Sequence, residues 1–503
     1  MHKTKTRVRK YCNIKLTEIW LIFEFHIQRL MLKKHIQSEI IRYLGKEPTP
    51  GQSELSAKFA SFISESGFDA VFLLKGYAGT GKTTMLSALV ETFNVFKFKS
   101  VLLAPTGRAA KVLSGYSGQN AYTIHKHIYR QQSSSDGMGR FVLNKNLYKD
   151  TFFIVDEASM VSNSTAESSI FGSGRLLEDL IEYVYSGQNC RLILVGDTAQ
   201  LPPVGLDLSP ALTRQELEFY DREVFEHELT DVVRQDQDSG ILYNATMIRN
   251  LITETDFFEG YFPLELEGFS DIRKLGGADL IEEISTCYDK FGLFETIVVT
   301  RSNKRANKFN EGIRSTILYK EADISKGDLL MVVKNNYFWL GENENIDFIA
   351  NGDIAEIVSI GKYEDLYGFR FANVCLRLVD YPDIEIDCKI ILDTLSIESA
   401  SLNSEQNRKL FEAVSEDYMD IRNKKKRWEK VRENPYFNAL QVKFAYAVTC
   451  HKAQGGQWKA VFVDQGYLTE EMINLEFLRW LYTAFTRPTE RLYLVNFNKE
   501  FFD

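Results

Sequence analysis

The sequence predicts an α/β protein built from two parallel-sheet domains, with a small antiparallel β-barrel inserted in the second domain. From Val71 onward, short apolar runs alternate with longer segments of helical periodicity, which is typical of parallel strands buried on both faces. A glycine-rich loop at 76–83 stands between one such run and a helical segment. The sequence pattern changes at 318–434, where turn-punctuated runs rich in β-branched and aromatic residues predict a small inserted antiparallel barrel.

The apolar runs place the strands of both sheets along the chain. They are VFLL at 71–74, VLLA at 101–104, FFIVD at 152–156, LILVGD at 192–197, IVV at 297–299, VFVD at 461–464 and LYLVNF at 492–497. Their positions predict a first domain over 46–245 and a second domain over 246–317 and 435–503. Within the insertion at 318–434, the barrel is expected at about 327–395. A polar helical part follows it and ends in a basic run, which is more typical of a solvated helix face than of a nucleic-acid site.

The charge and the cysteine content restrict the possible partners and location. The chain has 503 residues, with 69 acidic against 60 basic side chains and a net charge of -9. Any nucleic acid must therefore bind in a local basic groove, because the overall field repels a polyanion. The six cysteines contain no C-x-x-C pair and do not resemble a disulfide scaffold, so we expect reduced thiols and a cytoplasmic protein.

The first 45 residues are predicted to form an amino-terminal extension. The apolar stretch at 20–32 is interrupted by Glu24 and Arg29 and is shorter than the ~20 residues of a membrane span, so we expect neither a secretory signal nor a membrane contact. Helical periodicity begins at Met31. The residues before it are either a mis-assigned start or a loosely attached extension.

The loop GYAGTGKT at 76–83 predicts a phosphate site, because it follows a strand and precedes a helix with an apolar face. Glycines let backbone amides approach phosphate oxygens closely, and the helix amino terminus adds partial positive charge. The predicted nucleotide contacts are Gly76, Ala78, Gly79, Thr80, Gly81, Lys82, Thr83 and Thr84. Lys82 is expected to reach the β- and γ-phosphates, and the Thr83 hydroxyl is expected to bind Mg²⁺.

Two further strand ends carry polar side chains that suit phosphoryl chemistry. In FFIVDEAS, Asp156 is predicted to hold Mg²⁺ and Glu157 to act as the general base toward water. In LVGDTAQ, the strand ends with Asp197, and Gln200 is placed to sense a γ-phosphate or its attacking water. An ordinary Gly-Asp turn is the alternative for this second segment.

Three other segments complete an ordered set of motifs: APTGRAA at 104–110, VTCHKAQGGQW at 448–458 and LYTAFTRPTERL at 481–492. The set resembles superfamily 1 helicases, within the branch that contains RecD and the phage helicase Dda, and it covers about 45–503. The resemblance implies two RecA-like domains with ATP in the cleft between them, and an SH3-like barrel at about 327–395 inserted in the second domain. It also implies an ATP- and Mg²⁺-dependent motor that moves 5′ to 3′ on single-stranded DNA and unwinds the duplex ahead.

The resemblance assigns further nucleotide contacts in this chain. Gln52 matches the glutamine that reads adenine, and Arg234 and Arg487 match the two arginines that reach the γ-phosphate. An always charged guanidinium suits that task, because it can stabilise charge spread over the phosphoryl oxygens. Gln457 stands where the family often has Glu, and it could bond a ribose hydroxyl.

The resemblance also implies a DNA track and a strand-separating hairpin. Contacts to the DNA backbone are implied for Pro105, Thr106, Thr123, His125, Thr449 and His451. Either histidine could instead be a hydrogen-bonded core residue. A hairpin insertion at 127–149 matches the pin of this branch, and Phe141 is its candidate wedge against the last base pair. The alternative is that Phe141 anchors the hairpin.

The expected partners are single-stranded DNA and junctions between single and double strands, together with other recombination or replication proteins. The predicted contacts go to phosphates and base faces, which RNA shares with DNA. Two other functions are open: a DNA-stimulated ATPase or translocase without strand separation, and a motor-like subunit of a recombination complex. The sequence leaves open whether such a motor serves repair, replication restart or mobile-element transfer.

Overall fold

The computed structural model describes residues 27–132, 140–163, 172–232, 239–254, 260–340, 348–381 and 383–502. It contains two parallel sheets, a closed five-stranded barrel and a two-stranded hairpin. The predicted α/β class is therefore confirmed, together with the barrel in the second half of the chain. None of the helices in the described ranges combines the length and apolar composition that a membrane span requires.

The first half of the chain forms a six-stranded parallel sheet with helices on both faces. Its elements are α1 (27–44), α2 (Pro50–Glu65), β1 (Ala70–Gly76), α3 (Lys82–Phe96), β2 (Lys99–Ala104), α4 (Gly107–Ser117), β3 (Ala121–Thr123), α5 (Ile124–Ile128), β4 (Tyr129–Gln132), β5 (Arg140–Leu143), β6 (Thr151–Val155), α6 (Leu176–Ser186), β7 (Arg191–Gly196), α7 (Arg214–Phe219) and β8 (Glu223–Leu229). The strand order is β3-β2-β6-β7-β1-β8. The central strands are apolar on both faces because α2 and α3 cover one face and α6 covers the other.

The extension at the amino terminus is partly integrated in the first domain. Helix α1 buries Ile36, Ile40 and Leu44 against α2 and α3. These residues recur at helical spacing, so one face of α1 is covered. Residues 1–26 lie outside the described residues, and the two hypotheses about them stay predictions.

The second half forms a five-stranded parallel sheet and the barrel. Its elements are α8 (Gly240–Glu254), β9 (Ile272–Leu275), α9 (Leu280–Phe291), β10 (Thr296–Thr300), α10 (Asn303–Gly312), β11 (Leu329–Val332), β12 (Ile354–Leu366), β13 (Phe369–Leu378), β14 (Glu385–Ile391), α11 (Ser404–Glu416), α12 (Lys424–Arg432), β15 (Leu440–Phe444), β16 (Ala447–Thr449), α13 (Cys450–Ala453), β17 (Trp458–Asp464), α14 (Leu475–Phe485) and β18 (Pro488–Val495). The sheet order is β16-β10-β17-β18-β9. Helix α8 packs against this sheet through Ile241, Ala245 and Ile248, so the predicted domain boundary at 245 falls inside a helix of the second domain.

The barrel is closed by a strand that follows the predicted insertion. Strands β11 to β14 pair in antiparallel fashion, and β15 pairs with β11 and, in parallel, with β14. The predicted insertion end at 434 therefore precedes the fifth strand of the barrel. Helices α11 and α12 pack on the outside through Leu410, Val414 and Val431, and the basic residues of α12 face mainly solvent.

The hairpin of β4 and β5 carries Phe141 on an inward face. Its backbone pairs Tyr129 with Leu143 and Gln131 with Phe141. The Phe141 side chain is 3% exposed, and its ring centroid lies 4.4 Å from that of Tyr337 at the barrel. This burial favours the alternative that Phe141 anchors the hairpin between the first domain and the barrel. The role of Phe141 as a wedge against the last base pair stays a prediction.

The barrel contacts the first domain at the start of α4 through two carboxylates. A β-carbon on Gly107 would lie 3.0 Å from Asp353 Oδ1, and Lys111 Nζ lies 3.3 Å from Asp380 Oδ1. Burial raises the pKa of Asp353 to about 7; the Ala350 amide lowers it, nearby Asp380 raises it and Lys126 lowers it. Because the folded pKa exceeds the unfolded value of about 3.9, the folded state loses stability as the pH rises from about 4 to 7.

Asp353→Asn should relieve this loss. The difference in melting temperature, variant minus wild type, should increase as the pH rises from about 4 to 7 and stay constant above about pH 7. The corresponding gain in the free energy of unfolding is on the order of a few kcal/mol. Asp420→Asn removes an exposed carboxylate of the same insertion and controls for the loss of one charge. A difference in melting temperature that does not vary with pH would contradict the assignment.

Candidate functional site

A cavity of about 550 Å³ lies between the two sheets and is lined by residues of both domains. The first domain contributes the loop between β1 and α3 and the ends of β6 and β7. The second domain contributes Gln457 and the segment from Phe485 to Glu490, with residues of α8 at one side. The carboxyl ends of parallel strands thus open on one crevice, which is where α/β proteins bind ligands.

The glycine loop takes the conformation that a phosphate cradle needs. Gly79 and Gly81 have φ values of 73° and 83°, in the left-handed region that side chains disfavour. A β-carbon on Gly79 would also lie 2.5 Å from Leu242 of α8. Of the predicted contacts, the cavity is lined by Ala78, Gly79, Gly81, Lys82, Thr83 and Thr84. Gly76 and Thr80 instead support the loop from behind; the Thr80 hydroxyl donates to the Tyr77 carbonyl at 2.8 Å.

Lys82 is the first residue of α3, and its ammonium is held at the cavity wall. It donates to the carbonyls of Gly76 at 2.6 Å and Tyr77 at 2.8 Å, and it lies 3.6 Å from Asp197 Oδ2. The amides of the first helical turn have no carbonyl partners within the helix. The lysine and the helix terminus each contribute local positive potential at this part of the cavity wall, where a phosphate would bind.

The acidic pair after β6 is half-buried beside the loop. The Asp156 carboxylate accepts hydrogen bonds from the Tyr116 hydroxyl at 2.5 Å and from the Glu157 amide at 2.9 Å. Burial raises the pKa of both carboxyls, and the Arg487 guanidinium opposes the rise at Glu157. A carboxylate with a raised pKa accepts a proton from water more readily near neutral pH, which suits Glu157 as a base.

Arg487 reaches the same cavity from the second domain. Its side chain is 3% exposed and donates to the Thr483 carbonyl at 3.0 Å, the Gly456 carbonyl at 3.2 Å and the Thr486 hydroxyl at 2.8 Å. The structure therefore brings together Lys82 and Arg487, which the sequence could relate only by family resemblance. Arg234, the other predicted arginine, lies outside the described residues.

Two glutamines differ in what they present to the cavity. Gln200 lines it, and its buried Oε1 atom has no hydrogen-bond partner among the described residues, so an acceptor is left for a ligand or a water. Gln52 is 1% exposed; its amide donates to the Thr80 carbonyl at 3.2 Å and accepts from the Thr49 amide at 3.2 Å. Gln52 is not among the cavity-lining residues, and its contact with adenine stays a prediction.

The predicted DNA contacts lie at the carboxyl edges of the two sheets. Strands β2 and β3 end side by side, and Thr106 and Thr123 cap the helices that follow. In the other sheet, Thr449 ends β16 next to Thr300 of β10. A β-carbon on Gly455 would lie 3.3 Å from the Thr106 hydroxyl, so the two edges meet. Pro105 is half-buried beside this contact.

The two histidines of the predicted track differ in environment. Burial lowers the pKa of His125 to about 4, so its ring is neutral at pH 7, and it lies 5.8 Å from the ring of Tyr129. This environment favours the alternative of a core histidine. His451, on α13, keeps part of its side chain exposed to solvent, although partial burial lowers the pKa of its ring as well.

Sequence reasoning missed two tyrosines that act on the site residues. Tyr116 donates to Asp156, and Tyr482 contacts both the glycine loop and Asp197. Tyr482 lies within the motif LYTAFTRPTERL, but a tyrosine in an apolar helical pattern is more often a core residue. The motif itself is the signal that could have identified it.

Comparison with known proteins agrees with this geometry. A family model described as an AAA domain matches residues 49–254, and a model described as a UvrD-like helicase C-terminal domain matches residues 444–495. The ATP-dependent DNA helicase dda of Enterobacteria phage T4 is 24% identical over 413 residues, which span 78% of this chain and 86% of that protein. Together these matches support the assignment of this chain to the superfamily 1 helicases of the RecD and Dda type.

The alignments with other similar proteins cover different shares of this chain. The ATP-dependent RecD2 DNA helicase of Deinococcus radiodurans is 32% identical over 162 residues, 32% of this chain and 20% of that protein. Protein R530 of Acanthamoeba polyphaga mimivirus is 22% identical over 507 aligned positions, 86% of this chain and 97% of that protein. A crystal structure of Bacteroides Pif1 helicase with ADP-AlF3 and ssDNA has a TM-score of 0.44 and 15% identity, covering 91% of this chain and 95% of that one.

Replacement of Lys82 by alanine and replacement of Arg487 by alanine should affect ATP binding and turnover differently. Lys82→Ala removes a charge that the bound phosphates would meet, so ATP affinity should fall at least about tenfold and turnover about 10²-fold or more. Arg487→Ala should keep ATP affinity within about threefold and lower kcat by about 10³-fold, because the guanidinium is needed for charge that develops during transfer.

Fluorescent-nucleotide binding and steady-state ATPase assays separate these two effects. Arg491→Ala is the matched control, because Arg491 lies on β18 but not among the cavity-lining residues. Equal loss of nucleotide binding in the Lys82 and Arg487 variants would contradict the separate roles.

Proposed function

We propose that this superfamily 1 DNA helicase binds Mg-ATP in the cleft between its sheets and uses hydrolysis to move 5′ to 3′ along single-stranded DNA. The observation that carries the proposal is the cavity shared by Lys82 of the first domain and Arg487 of the second. A ligand that needs both cations can bind fully only when the two domains are close together. Binding and hydrolysis then alternate the closed and open states.

The residues of the cavity support a defined division of labour in hydrolysis. The loop amides and Lys82 bind the phosphates, and Glu157 accepts the proton of the attacking water. Gln200 offers its free carbonyl oxygen to that water. Arg487 stabilises the charge that spreads over the phosphoryl oxygens as the bond to the leaving group breaks.

The same cavity suits a magnesium ion. The Thr83 hydroxyl and the Asp156 carboxylate both line it, and magnesium prefers oxygen ligands of this kind. Asp156, Glu157 and Asp197 offset the charges of Lys82 and Arg487, so the cavity lacks the positive excess that a bare triphosphate would require. When bound, the ion supplies that charge to the phosphates.

A continuous segment joins the nucleotide cavity to the proposed DNA track. Arg487 donates to the Gly456 carbonyl, and Arg108 of the first domain donates to the Gln457 carbonyl at 2.9 Å. Gly455 packs against Thr106. A shift of Arg487 on nucleotide binding would therefore move residues 455–457 against the edge that carries Thr106, which supports coupling between the two sites.

The relatives and the polar groups of the track support DNA as the ligand. The phage T4 and Deinococcus proteins are both DNA helicases by name. Threonine hydroxyls and backbone amides position phosphates without reading sequence, so we propose binding to single strands and to their junctions with duplex. The proposed 5′ to 3′ polarity follows from the resemblance to the RecD and Dda branch.

A translocase that does not separate strands is the second candidate function. The observation that favours it is the burial of Phe141, because the hairpin then lacks the proposed wedge at that position. Strand separation would depend on other parts of the hairpin or on the barrel packed against it.

We also propose a reducing, cytoplasmic location. The described cysteines Cys190, Cys287, Cys375, Cys388 and Cys450 are free thiols, which supports this proposal.

Unwinding of two partial duplexes tests strand separation and polarity together. With ATP and Mg²⁺, the protein should release the strand from a duplex with a 5′ single-stranded overhang at least tenfold faster than from one with a 3′ overhang. The Lys82→Ala variant should release neither. Streptavidin displacement from a single strand, measured in parallel, reports translocation alone.

Three results of this experiment differ in meaning. Faster unwinding from the 3′ overhang would overturn the polarity. Displacement of streptavidin without unwinding would favour the translocase. If neither the DNA strand nor streptavidin were released while DNA-stimulated ATPase activity remained intact, the result would contradict the proposed motor.

A further inference from the structure

Tyr482 of α14 connects the two domains inside the ATP cleft. Its side chain is 1% exposed, and its hydroxyl accepts a hydrogen bond from the Ala78 amide of the glycine loop at 2.8 Å. The same hydroxyl donates to Asp197 Oδ2 at 2.7 Å. One oxygen atom of the second domain thus contacts two parts of the first domain that border the phosphates.

Asp197 extends this connection to the lysine of the loop. Its Oδ2 atom, which accepts from Tyr482, lies 3.6 Å from Lys82 Nζ, and its Oδ1 atom accepts from the Ala199 amide at 3.0 Å. Asp197 is 1% exposed, so its charge depends on these partners for solvation. Loss of the Tyr482 hydroxyl would leave both Asp197 and the Ala78 amide short of a partner.

The residues after Tyr482 carry the connection to Arg487. The Thr483 hydroxyl accepts from the Leu201 amide at 2.8 Å, and the Thr483 carbonyl accepts from Arg487 Nε at 3.0 Å. The end of α14 is therefore attached to the first domain at two successive residues. Arg487 is held against the same helical turn, so its position relative to the phosphates depends on that attachment.

We propose that Tyr482 is a positioning residue for ATP hydrolysis, whose hydroxyl fixes the glycine loop and Asp197 of the first domain against the helix end that carries Arg487. This inference rests on the proposed function. Tyr482 touches the groups that border the phosphates and acts through Asp197 and Arg487. Its role is expected in the closed arrangement needed for hydrolysis more than in the capture of ATP.

The hydroxyl is kept in its donor form by its surroundings. Burial, followed by the adjacent Asp197 carboxylate, raises the pKa of Tyr482 well above its ordinary value. The hydroxyl is thus protonated throughout the physiological range and can donate to Asp197 while accepting from Ala78. Phenylalanine would fill the same volume but make neither bond.

Tyr482→Phe is the direct test. We expect kcat for DNA-stimulated ATP hydrolysis to fall about tenfold to hundredfold, the size expected for a buried hydrogen bond to a charged group. The KM for ATP should stay within about threefold. A merely structural role would instead lower the melting temperature without this split between kcat and KM.

Tyr446→Phe is a closely matched control. Tyr446 is also 1% exposed, and its hydroxyl accepts from the Leu329 amide at 3.2 Å and donates to Asp328 Oδ1 at 2.9 Å. This pair of bonds repeats the chemistry of Tyr482 at the junction of barrel and second domain. The Tyr446 variant should lose comparable thermal stability and keep the wild-type kcat.

A double-mutant cycle with Asp197→Asn tests the connection itself. If Tyr482 acts through Asp197, the kcat of the double variant should lie within about twofold of the kcat of the slower single variant. Independent, multiplicative losses would overturn that route, as would a Tyr482→Phe variant with wild-type kcat. Absence of DNA-stimulated ATPase in the wild-type protein would instead overturn the proposed function, so the two failures are distinguishable.

Discussion

Two positively charged side chains, Lys82 and Arg487, come from different domains and line one cavity. The rest of the structure depends on this arrangement. Lys82 begins a helix of the first domain, and Arg487 follows a helix of the second. Both lie where the carboxyl ends of parallel strands open on the cleft. The half-buried carboxylates of Asp156 and Glu157 line the same cavity, and partial loss of solvation raises the pKa of both because it disfavours their charged forms. A phosphate chain that satisfies both cations would thus link the domains.

The loop segment at 454–457 relates this cavity to the sheet edges where DNA is proposed to bind. Gln454 donates to the Leu201 carbonyl of the first domain at 2.6 Å, and the next residues contact Thr106 and accept from Arg108 and Arg487. The nucleotide side and the DNA side therefore share backbone. Small rearrangements at Arg487 can change the grip on a strand without a long relay through the core.

The fold was largely predictable because its strands are continuous apolar runs separated by helical periodicity, and the glycine loop marks where the first strand ends. The closing strand of the barrel was not predictable, because Leu440–Phe444 reads like any short buried strand and pairs with residues about a hundred positions earlier. Likewise, the alternation of side chains along a strand places Phe141 on one face of the hairpin, but it does not reveal that Tyr337 packs against that face.

The candidate site was predictable where a local motif fixes the chemistry and less so where the contact is long-range. The conformation of Gly79 and Gly81 follows from local sequence. By contrast, the bond from Gln52 to the Thr80 carbonyl and the two bonds of Tyr482 depend on which elements meet in three dimensions. The family resemblance implied a ligand contact for Gln52, and no sequence pattern singled out Tyr482.

The central claim is that ATP draws the two domains together through the shared cavity. Spin labels at Phe219→Cys and Tyr467→Cys, which are 78% and 82% exposed on the first and second domains, allow the interdomain distance to be measured by pulsed electron paramagnetic resonance. A slowly hydrolysed ATP analogue with Mg²⁺ should shift the distance distribution, and Lys82→Ala should abolish the shift. An unchanged distribution at saturating, independently verified nucleotide binding would contradict the account.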